Sequence, residues 1–182
     1  GASAISCLTD ATYFGARPGD LEHAASAGLP VLRKDFVIDE IQIDESVAMG
    51  ASAVLLIVRI LEPPRLAALV RHSAAHGLDA LVEVHDESEI DQALDAGATM
   101  VGVNNRDLGT LAVDSGRALR LKARIPAGVL SVAESGVKTR DDVKLIEDAG
   151  FSAVLIGETL ARSSDPAAKL RELLGRAHGG RS

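Results

Sequence analysis

Met49-Gly50-Ala51-Ser52-Ala53-Val54 recurs as Ala96-Gly97-Ala98-Thr99-Met100-Val101 and again as Ala149-Gly150-Phe151-Ser152-Ala153-Val154. Each copy joins a polar, helically spaced stretch to a short apolar run. The phrase therefore marks a helix end followed by a strand start, with glycine supplying the left-handed backbone that closes a helix. Gly1-Ala2-Ser3-Ala4-Ile5 reads as a fourth copy with no helix before it. The glycines at 50, 97 and 150 are two strand–helix units apart, so one supersecondary unit repeats along the chain.

Outward from these phrases, apolar runs of strand length lie at 4–7, 30–33, 53–58, 80–84, 100–103, 129–133 and 153–156. Helical spacing occupies 20–27, 39–49, 62–76, 88–96, 114–123, 139–149 and 166–178. Asp39, Asp86, Asp114 and Thr139 suit helix N-caps, and Pro166 follows Asp165 where a first-turn proline is favoured. Strict alternation of strand and helix leaves a doubly wound open sheet or a (β/α)8 barrel. The turn after the first strand, Thr9-Asp10-Ala11-Thr12-Tyr13-Phe14-Gly15, is no dinucleotide fingerprint. Polar residues stand instead at the ends of many strands, namely Lys34, Glu83, Asn104 with Arg106, Glu134 with Ser135 and Gly136, and Gly157 with Glu158. That distribution favours the barrel.

Composition agrees. The 182 residues are 47% hydrophobic, and three Phe, one Tyr and no Trp make only 2% aromatic. Such a core is built from Ala, Val, Leu and Ile, as in buried parallel strands flanked by helices. A net charge of −7 and few stacking surfaces argue against nucleic-acid binding. One cysteine, Cys7, leaves no internal disulfide and fits a reducing compartment. The longest apolar run, 53–58, is far below the ~20 residues of a membrane span, and the N-terminus has no basic-then-apolar signal. A cytoplasmic protein with no membrane partner is expected.

Lys34 at a strand end is expected to be partly desolvated, with a lowered pKa suiting a proton donor or Schiff-base amine; alternatively it is a surface lysine paired with Asp35 or Asp39. Glu83 and Glu134, within or ending apolar strands, suit acid–base work, or else a structural ion pair with a barrel Lys or Arg. Asn104, Asn105 and Arg106 offer groups for an oxygen-rich or phosphorylated ligand, or simply form a turn. In a barrel the loops after the last two strands, here Ser135-Gly136 and Gly157-Glu158, commonly hold phosphate through backbone N–H groups. The five histidines show no metal spacing, and His72 and His76 share a helix face expected to meet solvent.

Val31-Leu32-Arg33-Lys34-Asp35-Phe36-Val37-Ile38-Asp39, Ala53-Val54-Leu55-Leu56-Ile57-Val58, Leu81-Val82-Glu83-Val84-His85-Asp86, Gly102-Val103-Asn104-Asn105-Arg106-Asp107-Leu108 and Ala133-Glu134-Ser135-Gly136-Val137 follow one another in an order and at spacings that resemble the indole-3-glycerol phosphate synthase family. The likeness runs from Gly1 to about Leu174. It implies a (β/α)8 barrel that decarboxylates and cyclises 1-(2-carboxyphenylamino)-1-deoxyribulose 5-phosphate in tryptophan biosynthesis, with no metal or organic cofactor. It further implies Lys34 as general acid for loss of the substrate hydroxyl and Glu83 as its acid–base partner. Asn104 and Glu134 would hold hydroxyl and amine groups. Arg106, Ser135, Gly136, Gly157 and Glu158 would surround the phosphate, and Phe36 and Leu108 would line the anthranilate pocket. Glu158 departs from the small residue common in relatives.

A Lys-x-x-Ser-Pro segment, which the family carries on its first strand after a helical extension, does not occur in the 182 residues. The expectation is therefore a single incomplete (β/α)8-barrel domain over 1–182, truncated to about seven strands, with impaired or no activity on its own. Strands 4–7 and 153–156 would be unpaired edges, completed or rearranged by homo-oligomerisation. The alternatives are a non-catalytic binder of phosphorylated ligands and a structural oligomer derived from the family.

Overall fold

A computed structural model describes residues 1–107 and 109–176. Seven parallel strands form one sheet in sequential order: β1 (Ile5–Leu8), β2 (Val31–Lys34), β3 (Ala53–Ile57), β4 (Asp79–Val84), β5 (Met100–Asn104), β6 (Leu130–Glu134) and β7 (Ala153–Leu155). A doubly wound sheet reverses its strand order at a switch point; this one never does, so it curls as a barrel does. β1 and β7 are its two edges, unpaired with each other among the described residues. An apolar groove of about 560 Å³, lined by Ile5, Leu32, Val132, Leu155 and Leu170 among others, runs through the seam at the N-terminal ends of the strands.

The connecting helices are α1 (Ala11–Phe14), α2 (Asp20–Ala25), α3 (Glu40–Ala48), α4 (Pro63–Ala75), α5 (Glu87–Asp95), α6 (Arg117–Leu121), α7 (Arg140–Asp148), α8 (Glu158–Ala161) and α9 (Pro166–Leu173). Their boundaries follow local chemistry. Asp39 and Thr139 form capping boxes on α3 and α7, Asp86 accepts the Glu89 N–H at 3.0 Å, and Asp165 accepts that of Ala168 at 2.9 Å. The repeat glycines 50, 97 and 150 all have positive φ one residue past a helix C-cap.

Alternation along the strands sorts the core into two parts. Val54, Leu56, Val82, Val84, Val101, Val103 and Ala133 pack outward against Ile43, Leu66, Leu69, Ile90, Val143 and Ile146 of the helices. Leu55, Ile57, Leu81 and Val132 pack inward with Leu32, Phe36, Met100 and Leu155. Lys34, Glu83, Asn104 and Glu134 share the parity of the inward set, so the pleat alone aims all four at the strand ends' common interior.

Several expected boundaries shift. Four strands, β1, β2, β5 and β6, end one residue later than the expected runs, so Lys34, Asn104 and Glu134 lie within β2, β5 and β6 rather than after them. Lateral pairing, Lys34 with Leu8 and Asn104 with Glu134, carries the ladder past the last apolar residue. Residue 58 leaves its strand to open a 3₁₀ turn over Val58–Ile60. The helix expected over 114–123 shrinks to α6 and a 3₁₀ turn at Lys122–Arg124, and Asp114 is not its cap. An antiparallel bridge between Arg106 and Val113, and the Asp114 N–H donating to the Asn105 carbonyl at 2.9 Å, hold that segment extended until Gly116. Of the final helix expected over 166–178, residues 177 and 178 lie outside the described residues.

Leu56 is fully buried between sheet and helices, whereas Ile41 on α3 is 62% exposed. Leu56→Ala should cost ~2–5 kcal/mol in urea unfolding, and Ile41→Ala should stay within about 0.5 kcal/mol of the parent.

Candidate active site

Lys34 Nζ lies 3.2 Å from Glu83 Oε2 and 3.1 Å from Glu134 Oε2. The carboxylates are 1% exposed and the lysine side chain 22%, so the ammonium reaches the interior while its stem meets the strand ends. The alternative partners are otherwise engaged. Asp35 pairs with Arg33 at 3.1 Å, and Asp39 with Arg65 at 3.0 Å. Arg33, of the opposite parity, points outward, where Thr9, Gln42 and Ser46 complete its hydrogen bonds.

Burial alone lowers the Lys34 pKa, but Glu134 and Glu83 outweigh it and the net shift is upward. This corrects the expected lowered value: Lys34 is held as an ammonium, fit to donate a proton and poorly suited to act as a free amine. Burial pushes Glu134 up to about 7, with Glu83 adding to the rise and Lys34 opposing it. Glu83 Oε1 and Glu134 Oε1 are buried without a hydrogen-bond partner. Each is thus free to accept from a bound molecule.

Register explains how the two carboxylates converge. Glu83, Gly102 and Val132 lie side by side across β4, β5 and β6, and Asn104 and Glu134 pair in the next inward layer. For Glu134 to lean back toward Lys34, the position between must be empty. It is Gly102, where a Cβ would overlap Glu134 Oε1 and press on Leu81 Cδ1 at 3.1 Å. A glycine inside an apolar strand was the available signal of this close approach.

Behind Glu83 a second buried chain continues. His85 Nε2, also without a hydrogen-bond partner, is 3.6 Å from Glu83 Oε1, and His85 Nδ1 is 3.2 Å from Glu89 Oε2. Glu89 Oε1 then accepts from Arg59 Nε at 2.9 Å. Burial tends to raise the Glu89 pKa, but His85 and Arg59 bring it below the usual carboxylate range. The Asp86 cap sets Glu89 in the first turn of α5, from which its side chain reaches back to His85. Neither Glu89 nor Arg59 stood out in the sequence, and the i, i+4 spacing of His85 and Glu89 was the only hint.

The remaining expected residues divide into two groups. Asn104 is buried, its Oδ1 accepting from the Arg106 N–H at 2.9 Å. Asn105 is structural, since its side chain bonds the Ser135 carbonyl at 3.0 Å and the Ala118 N–H at 2.9 Å. Ser135 (φ 64°) and Gly136 (φ 84°) follow Glu134 in left-handed conformations. At Ser135 this stores strain of order ~1–3 kcal/mol at the mouth. Arg106 Nη2 is 2.8 Å from Glu158 Oε2, and Glu158 also meets Arg162 at 2.9 Å, both exposed. Two residues expected to face phosphate therefore face each other, with Gly157 at the N-cap of α8 beside them. Leu108 lies outside the described residues. Phe36 packs against Tyr13 (5.9 Å, edge-on) and Phe14 (6.3 Å, stacked) of α1. Sequence reading missed this aromatic group; the clue was that three of only four aromatics fall near the first two strands.

The seam groove is lined mainly by apolar side chains and holds none of the buried charges. Convergent ionisable groups, rather than volume, identify the site.

The indole-3-glycerol phosphate synthase family model matches residues 1–173. Similar proteins include indole-3-glycerol phosphate synthase from Chlorobium phaeovibrioides, 53% identical over 91% of this chain and 64% of that protein. Indole-3-glycerol phosphate synthase 2 from Streptomyces coelicolor is 51% identical over 96% of this chain and 68% of that protein. The chain thus spans about two thirds of the length of these relatives. Among solved structures, native KDPGal superposes with a TM-score of 0.70 at 18% identity, over 96% of this chain and 81% of that one, a likeness of fold alone.

Between pH 4.5 and about 7 folded Glu134 keeps a proton that the unfolded chain has lost. Its contribution to stability therefore falls as pH rises through that window. The stability difference between wild type and Glu134→Gln should shrink by roughly 3 kcal/mol at most across it, read by urea unfolding at each pH; parallel pH profiles would contradict the raised value. Gly102→Ala should cost ~1–3 kcal/mol by overpacking and displace the Glu134 carboxylate, visible as a changed Glu134 side-chain NMR signal.

Proposed function

The chain belongs to the indole-3-glycerol phosphate synthase family, and from that premise we propose that it carries the acid–base centre of the decarboxylating ring closure of 1-(2-carboxyphenylamino)-1-deoxyribulose 5-phosphate. The observation that supports this most is Lys34 held between Glu83 and Glu134 at 3.2 and 3.1 Å. An ammonium with a raised pKa delivers its proton only to an oxygen brought within hydrogen-bond reach, which suits a general acid acting on a departing hydroxyl. The two carboxylates keep Lys34 charged beforehand and restore it afterwards, and Glu83 is its proton partner. The unpartnered oxygens of Glu83 and Glu134 accept from substrate amine or hydroxyl, with Asn104 beside them. Phe36, with Tyr13 and Phe14, offers an aromatic surface to the anthranilate ring.

Arg106, Ser135, Gly136, Gly157 and Glu158 are proposed around the phosphate. The Arg106–Glu158 pair must open for that, since a carboxylate beside a phosphate is repulsive. The second reading, a non-catalytic binder of phosphorylated ligands, needs the same opening and leaves the buried Lys34–Glu83–Glu134 centre without a role.

The family's first-strand lysine and serine have no counterpart among the 182 residues. We infer that these residues assayed alone turn over at a small fraction of the rate of a longer relative. The unpaired edges of β1 and β7 suit pairing with a second copy in a homo-oligomer, which light scattering tests. The partner class is a small phosphorylated substrate in the cytoplasm. No described helix is long and apolar enough to cross a membrane.

Turnover followed by indole fluorescence should be measurable but low, and Lys34→Ala should reduce it by ~10²–10⁴. Equal signals from the two proteins would remove Lys34 from the chemistry, and phosphate-ester binding without turnover would favour the binder.

A further inference from the structure

Three nitrogen and oxygen donors converge on the outer face, away from the strand ends. His72 and His76 are one turn apart at the C-terminal end of α4, and Asp44 faces them from α3. His72 Nε2 is 2.8 Å and His76 Nε2 3.7 Å from the same oxygen, Asp44 Oδ1, and one ligating atom from each residue falls within 4.8 Å of the others. The sequence shows no metal spacing among the histidines and puts His72 and His76 on a helix face expected to meet solvent. The third donor lies 28 residues from His72, on the neighbouring helix.

We propose that Asp44, His72 and His76 form a surface site for a divalent transition-metal ion of the zinc class, linking α3 to α4. Four observations carry this. The donor set, two imidazoles and a carboxylate, is the set that Zn²⁺ and its neighbours take, whereas Mg²⁺ and Ca²⁺ favour oxygen alone. His76 is already oriented: its Nδ1 lies 2.9 Å from the His72 carbonyl and donates to it, which turns Nε2 toward Asp44. Its ring lies 4.2 Å from that of His72, centroid to centroid, which keeps both donors on one side. Finally, both histidines occupy the carbonyl end of α4, where the helix dipole favours a cation.

Donors around a tetrahedral ion at 2.0–2.1 Å are about 3.3 Å apart, so small side-chain rotations close the site without moving either helix. The side chains of Asp44 and His76 are 54% and 42% exposed. Water therefore fills the remaining position, and the ion has an open path from solvent. Bound metal would stabilise the folded state, because the unfolded chain does not hold the three donors together.

Calorimetric titration of the 182-residue chain with Zn²⁺ tests this, alongside His76→Ala, Asp44→Asn and the remote control His23→Ala. The proposal predicts one ion per chain, a higher melting temperature with Zn²⁺, binding weakened at least 10-fold in both site variants and unchanged in the control. Visible absorption of added Co²⁺ should show a nitrogen- and oxygen-ligated ion that His76→Ala removes. Absence of binding, or equal binding by the wild type and both site variants, overturns it. Circular dichroism establishes that each variant is folded, and the test is independent of turnover.

Discussion

Two carboxylates buried to 1% exposure on separate strands are the constraint around which this molecule is arranged. Leaving either uncompensated would cost several kcal/mol, and Lys34 supplies the charge that faces both. The rest of the geometry follows from that requirement. Lys34, Glu83 and Glu134 must share the inward parity of their strands, and the ladder must extend to the last residue of β2 and β6. The layer between them must also be open, which is why residue 102 carries no side chain. The outward parity then carries the helices: Val54, Leu56, Val82 and Val101 alternate with inward residues and form the layer on which α3, α4 and α5 pack.

The same arrangement divides structural from chemical polarity. Arg33 and Asn105, adjacent in sequence to Lys34 and Asn104, point away from the interior and spend their hydrogen bonds on α3, the start of α6 and a loop carbonyl. On the inward face Glu83 and Glu134 each keep one oxygen unfilled. An interior with open carboxylate oxygens and a cation between them is costly for stability and useful for moving protons. The His85–Glu89–Arg59 chain begins 3.6 Å from Glu83 and carries polarity outward to a guanidinium near the surface.

Much of this was legible in the sequence, for physical reasons. The repeated phrase around Gly50, Gly97 and Gly150 encodes a helix end and a strand start. Alternating apolar strands impose parity, and a charged residue in such a strand has nowhere inexpensive to go. What escaped reading depends on three-dimensional neighbours. The Lys34 pKa depends on two partners 49 and 100 residues away, whose attraction exceeds the burial penalty. Asp114 looks like a helix cap until the Arg106–Val113 bridge is known. Tyr13 and Phe14 lie on a four-residue helix too short for any periodicity, and the pairing of Arg106 with Glu158 joins loops that only sheet curvature brings together.

Glu134 is buried, titrates near neutrality and is held down by Lys34. Titration of the Glu134 carboxyl carbon by ¹³C NMR tests this most directly, in the wild type and in Lys34→Met. The expected midpoint is near 7, rising further once the ammonium is removed. A midpoint at the ordinary value of 4.5, or one that Lys34→Met leaves unmoved, would contradict it.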